Sequence, residues 1–204
     1  MTVSRIEPVS KTRYKVFIDG QFAFALYKGE LSRYHIVDGS EIDENVYQIL
    51  YKDNVKRAKL RAMHLLSDMG RTESQLRTKL LQGGYPQKIV DEAITYVKSF
   101  GYINDREYAR NFVESRKEKK SRKEIYAALC KKGLDSELIK EALDECYAGE
   151  DSLQAIKALL RKKGYHPGNA DLKENQKIIG YLVRKGFQYE DIRKVVNLTN
   201  VGHL

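Results

Sequence analysis

The sequence feature that most constrains the fold is an internal repeat, visible when Gly84, Gly133 and Gly186 are placed in register. The glycines are 49 and 53 residues apart, and apolar residues recur at six fixed distances from each. Six columns in three copies indicate three copies of one structural unit. The columns hold Leu76, Ile125 and Ile178; Leu80, Leu129 and Leu182; Tyr85, Leu134 and Phe187; Val90, Ile139 and Ile192; Ala93, Ala142 and Val195; and Ile94, Leu143 and Val196.

Each copy predicts three helices. The apolar pair four residues apart before each glycine forms one helical stripe, and the glycine ends that helix in a left-handed conformation. A second helix follows the glycine. A further helix precedes the pair, at about residues 56–69, 105–117 and 151–163. The wider second spacing predicts a longer connection at residues 166–171 in the third copy.

The N-terminal stretch has the pattern of β-strands. Residues 14–18 and 21–26 are rich in aromatic and β-branched side chains, and Asp19-Gly20 between them is a typical hairpin turn. The period becomes helical from about Asp43, and almost no strand is expected after residue 50. We therefore predict a mainly α fold with three tandem three-helix repeats in an elongated curved stack, preceded by a small N-terminal β-hairpin cap. The predicted boundaries are 1–50 for the cap and 51–101, 102–149 and 150–204 for the repeats.

The positive charge is concentrated in the middle of the chain. The net charge is +9, from 37 basic and 28 acidic residues. Residues 57–133 carry 18 basic and 9 acidic residues, whereas the segments on either side are balanced. Residues 116–132 alone carry eight basic side chains against Glu118 and Glu124. A cluster of this kind is typical of a surface that contacts an anionic partner. A solvated helix face is the alternative.

Basic residues also recur around the second helix of each repeat. Lys131 shares a repeat column with Arg184, and Lys132 shares one with Lys185, so the repeat predicts them on one side of the stack. Lysines that only complement a helix dipole are the alternative here. The predicted contact residues are Arg77, Lys79, Arg116, Lys117, Lys119, Lys120, Arg122, Lys123, Lys131, Lys132, Arg184 and Lys185.

Signatures of enzymes, metal sites and membrane proteins are missing from the sequence. It has no phosphate-binding glycine loop, no His-Glu-x-x-His and no Gly-x-Ser-x-Gly. We therefore predict no catalytic residue, no cofactor and no metal. Cys130 and Cys146 are expected to be buried free thiols. No apolar run approaches the roughly 18 residues of a membrane helix, and residues 1–10 lack a signal-peptide core, so a cytoplasmic protein is expected.

Two stretches of this sequence resemble one known family, the RecX regulatory proteins. The first runs from Arg71 to Leu80, with Thr72-Glu73-Ser74-Gln75-Leu76 followed by Lys79-Leu80. The second is more specific and comprises Phe100-Gly101-Tyr102-Ile103-Asn104-Asp105, then Tyr108, Ala109, Phe112 and Arg116, then Lys131-Lys132-Gly133. The resemblance covers about residues 57–200, and the β extension is similar to that of the longer members.

The resemblance implies a function that the spacing of residues does not show. Members of this family are tandem three-helix-repeat proteins that bind filaments of the RecA recombinase on single-stranded DNA. They modulate, and usually inhibit, its ATPase, strand-exchange and co-protease activities, and so act in homologous recombination, DNA repair and the SOS response. No catalytic residue or cofactor comes with the family. We expect a monomer whose partners are the RecA filament and DNA, single-stranded and also double-stranded.

One alternative function stays open at this point. The chain could be an autonomous nucleic-acid-binding protein without sequence specificity, which affects RecA by competing for DNA. Its third helices are neutral or acidic, which disfavours reading of base sequence in the major groove.

Overall fold

The computed structural model describes residues 1–166 and 170–196. It divides into two compact units, Met1–Asn104 and Asp105–Leu204. Part of the long connection predicted at residues 166–171 and the end of the predicted third repeat, residues 197–204, lie outside the described residues.

The first unit begins with an antiparallel three-stranded sheet in the order β1-β2-β3. Its strands are β1 (Val3–Pro8), β2 (Arg13–Ile18) and β3 (Gln21–Tyr27). Asp19 and Gly20 both have positive φ, +48° and +79°, as the predicted tight hairpin turn requires. Strand β1 was not predicted, because only Val3 of its residues is fully buried and the strand has no clear alternation of apolar residues.

Four helices complete the first unit, and the second of them is longer than predicted. It begins at residue 44, where the helical period was predicted to start, and continues through the helix predicted at about residues 56–69. The Asp43 side chain caps it by accepting a 2.9 Å hydrogen bond from the Val46 amide. The helix also runs across residues 50 and 51, the predicted boundary between the β region and the first repeat. The repeat boundaries stay a prediction. The helices are α1 (Lys28–Arg33), α2 (Glu44–Asp68), α3 (Glu73–Gln82) and α4 (Gln87–Ser99).

The sheet and the first three-helix repeat share one hydrophobic core. Phe24 of β3 is fully buried, and its ring centroid lies 5.1 Å from that of Tyr47 in α2. Leu26 and Leu50 belong to the same cluster as Leu76 and the apolar face of α4. The predicted N-terminal β region is therefore confirmed, as a three-stranded sheet whose core is continuous with that of the first repeat.

The second unit contains two further three-helix groups, each around its own core. Ile125 and Leu143 belong to one core, whereas Ile156 and Leu182 belong to the other. The helices are α5 (Asp105–Glu114), α6 (Arg122–Cys130), α7 (Ser136–Cys146), α8 (Gly149–Lys162), α9 (Leu172–Arg184) and α10 (Tyr189–Val196). In the described part of the chain, no strand follows β3 and no helix is long and apolar enough to cross a membrane.

The repeat columns are confirmed by burial. Seventeen of their eighteen residues are buried, and Val195 is half-buried. Gly84, Gly133 and Gly186 all have φ between +78° and +88°. In each case the amide of the next residue bonds back to the carbonyl of the buried leucine four positions before the glycine, at 3.2–3.4 Å. This is the geometry of a helix end closed by a left-handed residue.

Candidate functional site on the basic segment and its neighbours

The predicted basic segment is a turn followed by a capped helix. Helix α5 ends at Glu114 and not at residue 117, and residues 115–121 form a hydrogen-bonded connection to α6. Lys119 and Lys120 both donate backbone bonds to the Arg116 carbonyl, at 2.9 and 3.0 Å. Ser121 then caps α6 by accepting a 3.1 Å bond from the Glu124 amide. The Glu124 side chain bonds back to the Ser121 amide, so the two residues form a capping box.

Arg77, a predicted contact residue in α3, is held by two carboxylates. It bonds Glu73 at 2.9 Å and also bonds Asp91 of α4. The Lys98 ammonium lies 2.8 Å from the other Glu73 oxygen. The bonds from Lys98 and Arg77 lower the pKa of Glu73, and the bond from Arg77 lowers the pKa of Asp91. An anionic partner would therefore compete with this network for Arg77.

Lys117 and Arg122 are also engaged within their own unit. Lys117 lies 2.9 Å from Glu114 and 3.9 Å from Asp151, and the bond to Glu114 raises the pKa of Lys117. Arg122 forms an ion pair with Asp144 of α7 and donates a 3.0 Å bond to the Leu143 carbonyl. These two basic side chains link α5 to α8 and α6 to α7.

Arg116 and Lys132 come together on one aromatic ring. The Arg116 guanidinium lies 3.8 Å from the Phe112 ring centroid, and the Lys132 ammonium lies 5.5 Å from the same centroid. Lys132 is also 5.6 Å from the Tyr108 centroid. These distances are those of cation–π contacts, which place both cations against the same ring although 16 residues separate them.

The third repeat meets the basic segment through the start of α6. The Ser121 hydroxyl donates a 2.6 Å bond to the Lys185 carbonyl, and the Lys185 ammonium lies 2.8 Å from Glu124. The bond to Glu124 raises the pKa of Lys185. Lys123 packs its aliphatic carbons on Gly186, where an added Cβ would lie 2.7 Å from the Lys123 Cβ. The predicted contact residues of these two repeats are thus adjacent. We call this contact the α6–α9 junction.

The repeat columns do not predict the pairing of Lys185 with Glu124. Lys132 and Lys185 occupy the same column, yet Lys132 lies over the aromatic rings of α5 while Lys185 pairs with the helix of the preceding repeat. A pattern of apolar columns reports which helix face is buried and does not report which polar side chains meet. Glu124, placed at the capping position, was the one signal of an acidic group at this point.

Six of the predicted residues are exposed and have no ion pair within the described residues. Three of them surround the start of α6, two end the second helices of their repeats, and Lys79 belongs to the first unit. Their ammonium and guanidinium groups remain available to an anionic partner. The six are Lys79, Lys119, Lys120, Lys123, Lys131 and Arg184.

The structure corrects the prediction for one cysteine. Cys146 is buried as expected, and burial raises the pKa of its thiol, but Cys130 is exposed at the end of α6.

Among residues 1–166 and 170–196, no group of three or more His, Cys, Asp or Glu side chains could hold a metal ion. A cavity of about 250 Å³ lies beside the α6–α9 junction and is lined by Ser121, Tyr147, Ser152, Gly186 and their neighbours.

Comparison with protein families gives three consecutive matches. The matching family models describe the first, second and third three-helix domains of RecX, and they match residues 58–96, 104–143 and 150–196.

Individual relatives carry the same name. The chain is 35% identical over 204 residues to the regulatory protein RecX of Caldanaerobacter subterraneus subsp. tengcongensis, covering 98% of this chain and 100% of the relative. It is 26% identical to the regulatory protein RecX of Clostridium acetobutylicum, covering 96% and 94%. A crystal structure of regulatory protein RecX matches the fold with a TM-score of 0.62 and 24% identity over 96% of this chain and 98% of that chain. RecX from Lactobacillus salivarius matches with a TM-score of 0.60 and 24% identity over 72% and 96%.

Proposed function

This chain belongs to the RecX family of regulatory proteins, and from that premise we propose that it binds RecA filaments on single-stranded DNA and inhibits their ATPase, strand-exchange and co-protease activities. The proposed role is regulatory and not catalytic: the protein occupies a surface of the filament. The proposal includes a cytoplasmic location and a monomeric form.

The α6–α9 junction carries the proposal. Lys119, Lys120 and Lys123 precede or begin α6, Arg184 ends α9, and all four are exposed without an ion pair among the described residues. The hydrogen bond from Ser121 to Lys185 holds the two helix ends against each other. Because the two helix ends are held together, their cations meet an acidic protein surface or a phosphate backbone with less loss of backbone freedom.

The test reverses charge at the junction while keeping its hydrogen bonds and its Lys185–Glu124 ion pair. Arg122 is left unchanged because it holds α6 to α7. The variant K119E/K120E/K123E should require at least about tenfold more protein to inhibit the single-stranded-DNA-dependent ATPase of RecA. K119E/K120E, which leaves the packing of Lys123 on Gly186 intact, should show a smaller shift in the same direction.

The matched control is K157E/K173E/K177E. It carries the same change in charge on exposed lysines of α8 and α9 and should inhibit at wild-type concentrations. Circular dichroism and a melting curve establish that every variant is folded. Inhibition by the junction variants at wild-type concentrations would remove this surface from the proposal.

A second experiment distinguishes inhibition by binding to the filament from inhibition by competition for DNA. If the protein acted only by sequestering DNA, excess single-stranded DNA would relieve the inhibition. We expect the inhibition to persist when DNA is in excess, because the proposed target is the assembled filament.

A further inference from the structure

The end of α4 and the turn after it expose a row of aromatic rings. The ring centroids of Tyr96 and Phe100 are 5.0 Å apart, and those of Phe100 and Tyr102 are 5.7 Å apart with only 15° between their planes. Phe100 is 57% exposed and Tyr102 is 54% exposed. Single exposed apolar side chains are ordinary, but adjoining, nearly parallel rings on the surface are typical of a binding site.

The aromatic row continues into a groove between α2 and α4. The groove has a volume of about 510 Å³, and Leu60, Met63 and Tyr96 are among the residues that line it. A second cavity of about 280 Å³ is lined by Met63, Leu66, Ser67 and Tyr102. Because Met63 lines both, the groove and the aromatic row form one continuous surface.

Three lysines follow one edge of this surface. Lys52, Lys56 and Lys59 lie four and three residues apart on α2, which corresponds to rises of about 6 and 4.5 Å along the helix. None of them has an ion pair in the part of the chain that the structure describes. The Lys59 ammonium lies 4.8 Å from the Tyr96 ring centroid, so the lysine row and the ring row meet.

The groove contains one carboxylate among its described lining residues, and it is already engaged. The Tyr51 hydroxyl donates a hydrogen bond to Glu92, and burial together with this bond raises the pKa of Tyr51. Three unpaired ammonium groups against one engaged carboxylate leave the groove with a net positive charge.

We propose that this surface binds single-stranded DNA, with bases stacked on Phe100 and Tyr102 and phosphates neutralised by Lys52, Lys56 and Lys59. A base can stack on an exposed ring whatever its identity, and a flanking row of cations follows the backbone, which is how sequence-tolerant binders hold a single strand. Duplex DNA fits less well because its bases are already stacked inside the helix. The inference goes beyond the proposed recombinase contact, and none of the twelve predicted contact residues lies on this surface.

An acidic peptide is the competing occupant. It would satisfy the lysines and the apolar groove floor, but it has no base to stack on two parallel rings that are each more than half exposed. The rings therefore favour a nucleic acid, and the experiment includes both probes.

The experiment measures direct binding with no recombinase present. Fluorescence anisotropy follows a labelled oligo-dT of about 30 nucleotides, an abasic oligonucleotide of the same length, and a labelled oligo-glutamate peptide. We expect the wild-type chain to bind oligo-dT more tightly than the abasic strand. F100L/Y102L should lose roughly tenfold in affinity for oligo-dT for each ring removed, and its affinity for the abasic strand should not change.

The lysine variant tests the electrostatic half of the proposal. K52Q/K56Q/K59Q should weaken binding to both strands and reduce the slope of log affinity against log salt by about 2, since each contact with a single-strand phosphate contributes about 0.7. The controls are Y189L, an exposed ring in α10, and K157Q/K173Q/K177Q, and both should bind as the wild type does. All substituted side chains are at least partly exposed, and melting curves confirm folding.

Three results would overturn the inference: no salt-sensitive binding to oligo-dT, equal affinity of the wild-type chain for the abasic strand, or tighter binding of oligo-glutamate that the ring substitutions weaken. The last would assign the surface to an acidic protein segment. Because no recombinase is present, these results leave the ATPase test of the proposed function independent.

Discussion

The Ser121 hydroxyl donates a hydrogen bond to the Lys185 carbonyl at 2.6 Å, across 64 residues of chain. The same oxygen accepts the 3.1 Å bond from the Glu124 amide that caps α6. One buried hydroxyl therefore starts a helix in the second repeat and closes the end of a helix in the third. This double use makes Ser121 a structural link between the two repeats.

Replacing Ser121 with alanine should cost more stability than the loss of an ordinary helix cap. A lost cap alone costs about 1 kcal/mol. In S121A the Lys185 carbonyl also loses its donor, which adds about 1–3 kcal/mol where water does not replace it. Urea unfolding followed by circular dichroism measures the difference. D135A is the matched control, because the exposed Asp135 caps α7 by accepting a 2.9 Å bond from the Glu137 amide and has no hydrogen bond or ion pair to another repeat among residues 1–166 and 170–196. Equal losses in the two variants would contradict the linking role.

Gly186 should tolerate substitution less well than Gly164. Both residues have positive φ, +88° and +66°, so an alanine at either position carries a backbone strain of about 1 kcal/mol. At Gly186 the new Cβ would also lie 2.7 Å from Lys123 Cβ, whereas at Gly164 nothing lies within 4 Å. The free energy of unfolding should therefore fall by about 1–3 kcal/mol more in G186A than in G164A.

A double change identifies the cause of that extra loss. The G186A/K123A variant lacks most of the Lys123 side chain that obstructs the new Cβ, although the Cβ of residue 123 itself remains. Part of the extra loss should be recovered relative to G186A. No recovery would mean that the extra loss comes from the retained Lys123 Cβ and the backbone, and not from the rest of the Lys123 side chain.

Periodicity was sufficient to predict the repeats, because a buried face leaves its signature at every turn of a helix. The same argument, applied more strictly, distinguishes the two cysteines. Cys146 follows Ala142 and Leu143 by four and three residues and lies on their buried face, whereas Cys130 follows Leu129 by one residue and points about 100° away from it. The exposure of Cys130 could therefore have been predicted from the sequence.

The polar contacts of the candidate site could not be predicted in this way. Arg122 and Lys119 are both basic and three residues apart, yet one is engaged by Asp144 and the Leu143 carbonyl while the other is unpaired among the described residues. Which of them meets an acidic partner depends on how α7 packs on α6. That packing is a tertiary property, and charge spacing along the chain does not encode it.

Lowering the pH should reduce the stability of the first unit by protonating Glu73. The bonds from Lys98 and Arg77 lower the pKa of Glu73 below that of an unfolded chain. A carboxyl group of this kind contributes stability above its unfolded pKa, near 4.3, and loses that contribution as the pH falls through the lower folded value. The E73Q variant should therefore be less stable than the wild type at pH 7, and the difference should shrink as the pH falls below about 4.5.

The measurement is the midpoint of urea unfolding of both proteins at a series of pH values from 7 to 3. E190Q removes one negative charge from an exposed position in α10 and serves as the control. A constant difference between E73Q and the wild type across this range would show that the glutamine affects packing and not the ion pairs.

The two thiols should differ sharply in reactivity. Cys130 is exposed at the end of α6, whereas Cys146 is buried and its burial raises the pKa of the thiol, which lowers the fraction of reactive thiolate at neutral pH. A thiol reagent that releases a coloured product should modify one cysteine per native chain quickly and the second only in denaturant. C130S should remove the fast phase, and C146S should leave it intact. A fast phase that persists in C130S would mean that α7 opens often enough to expose Cys146, because the buried thiol can react only when that helix leaves its core.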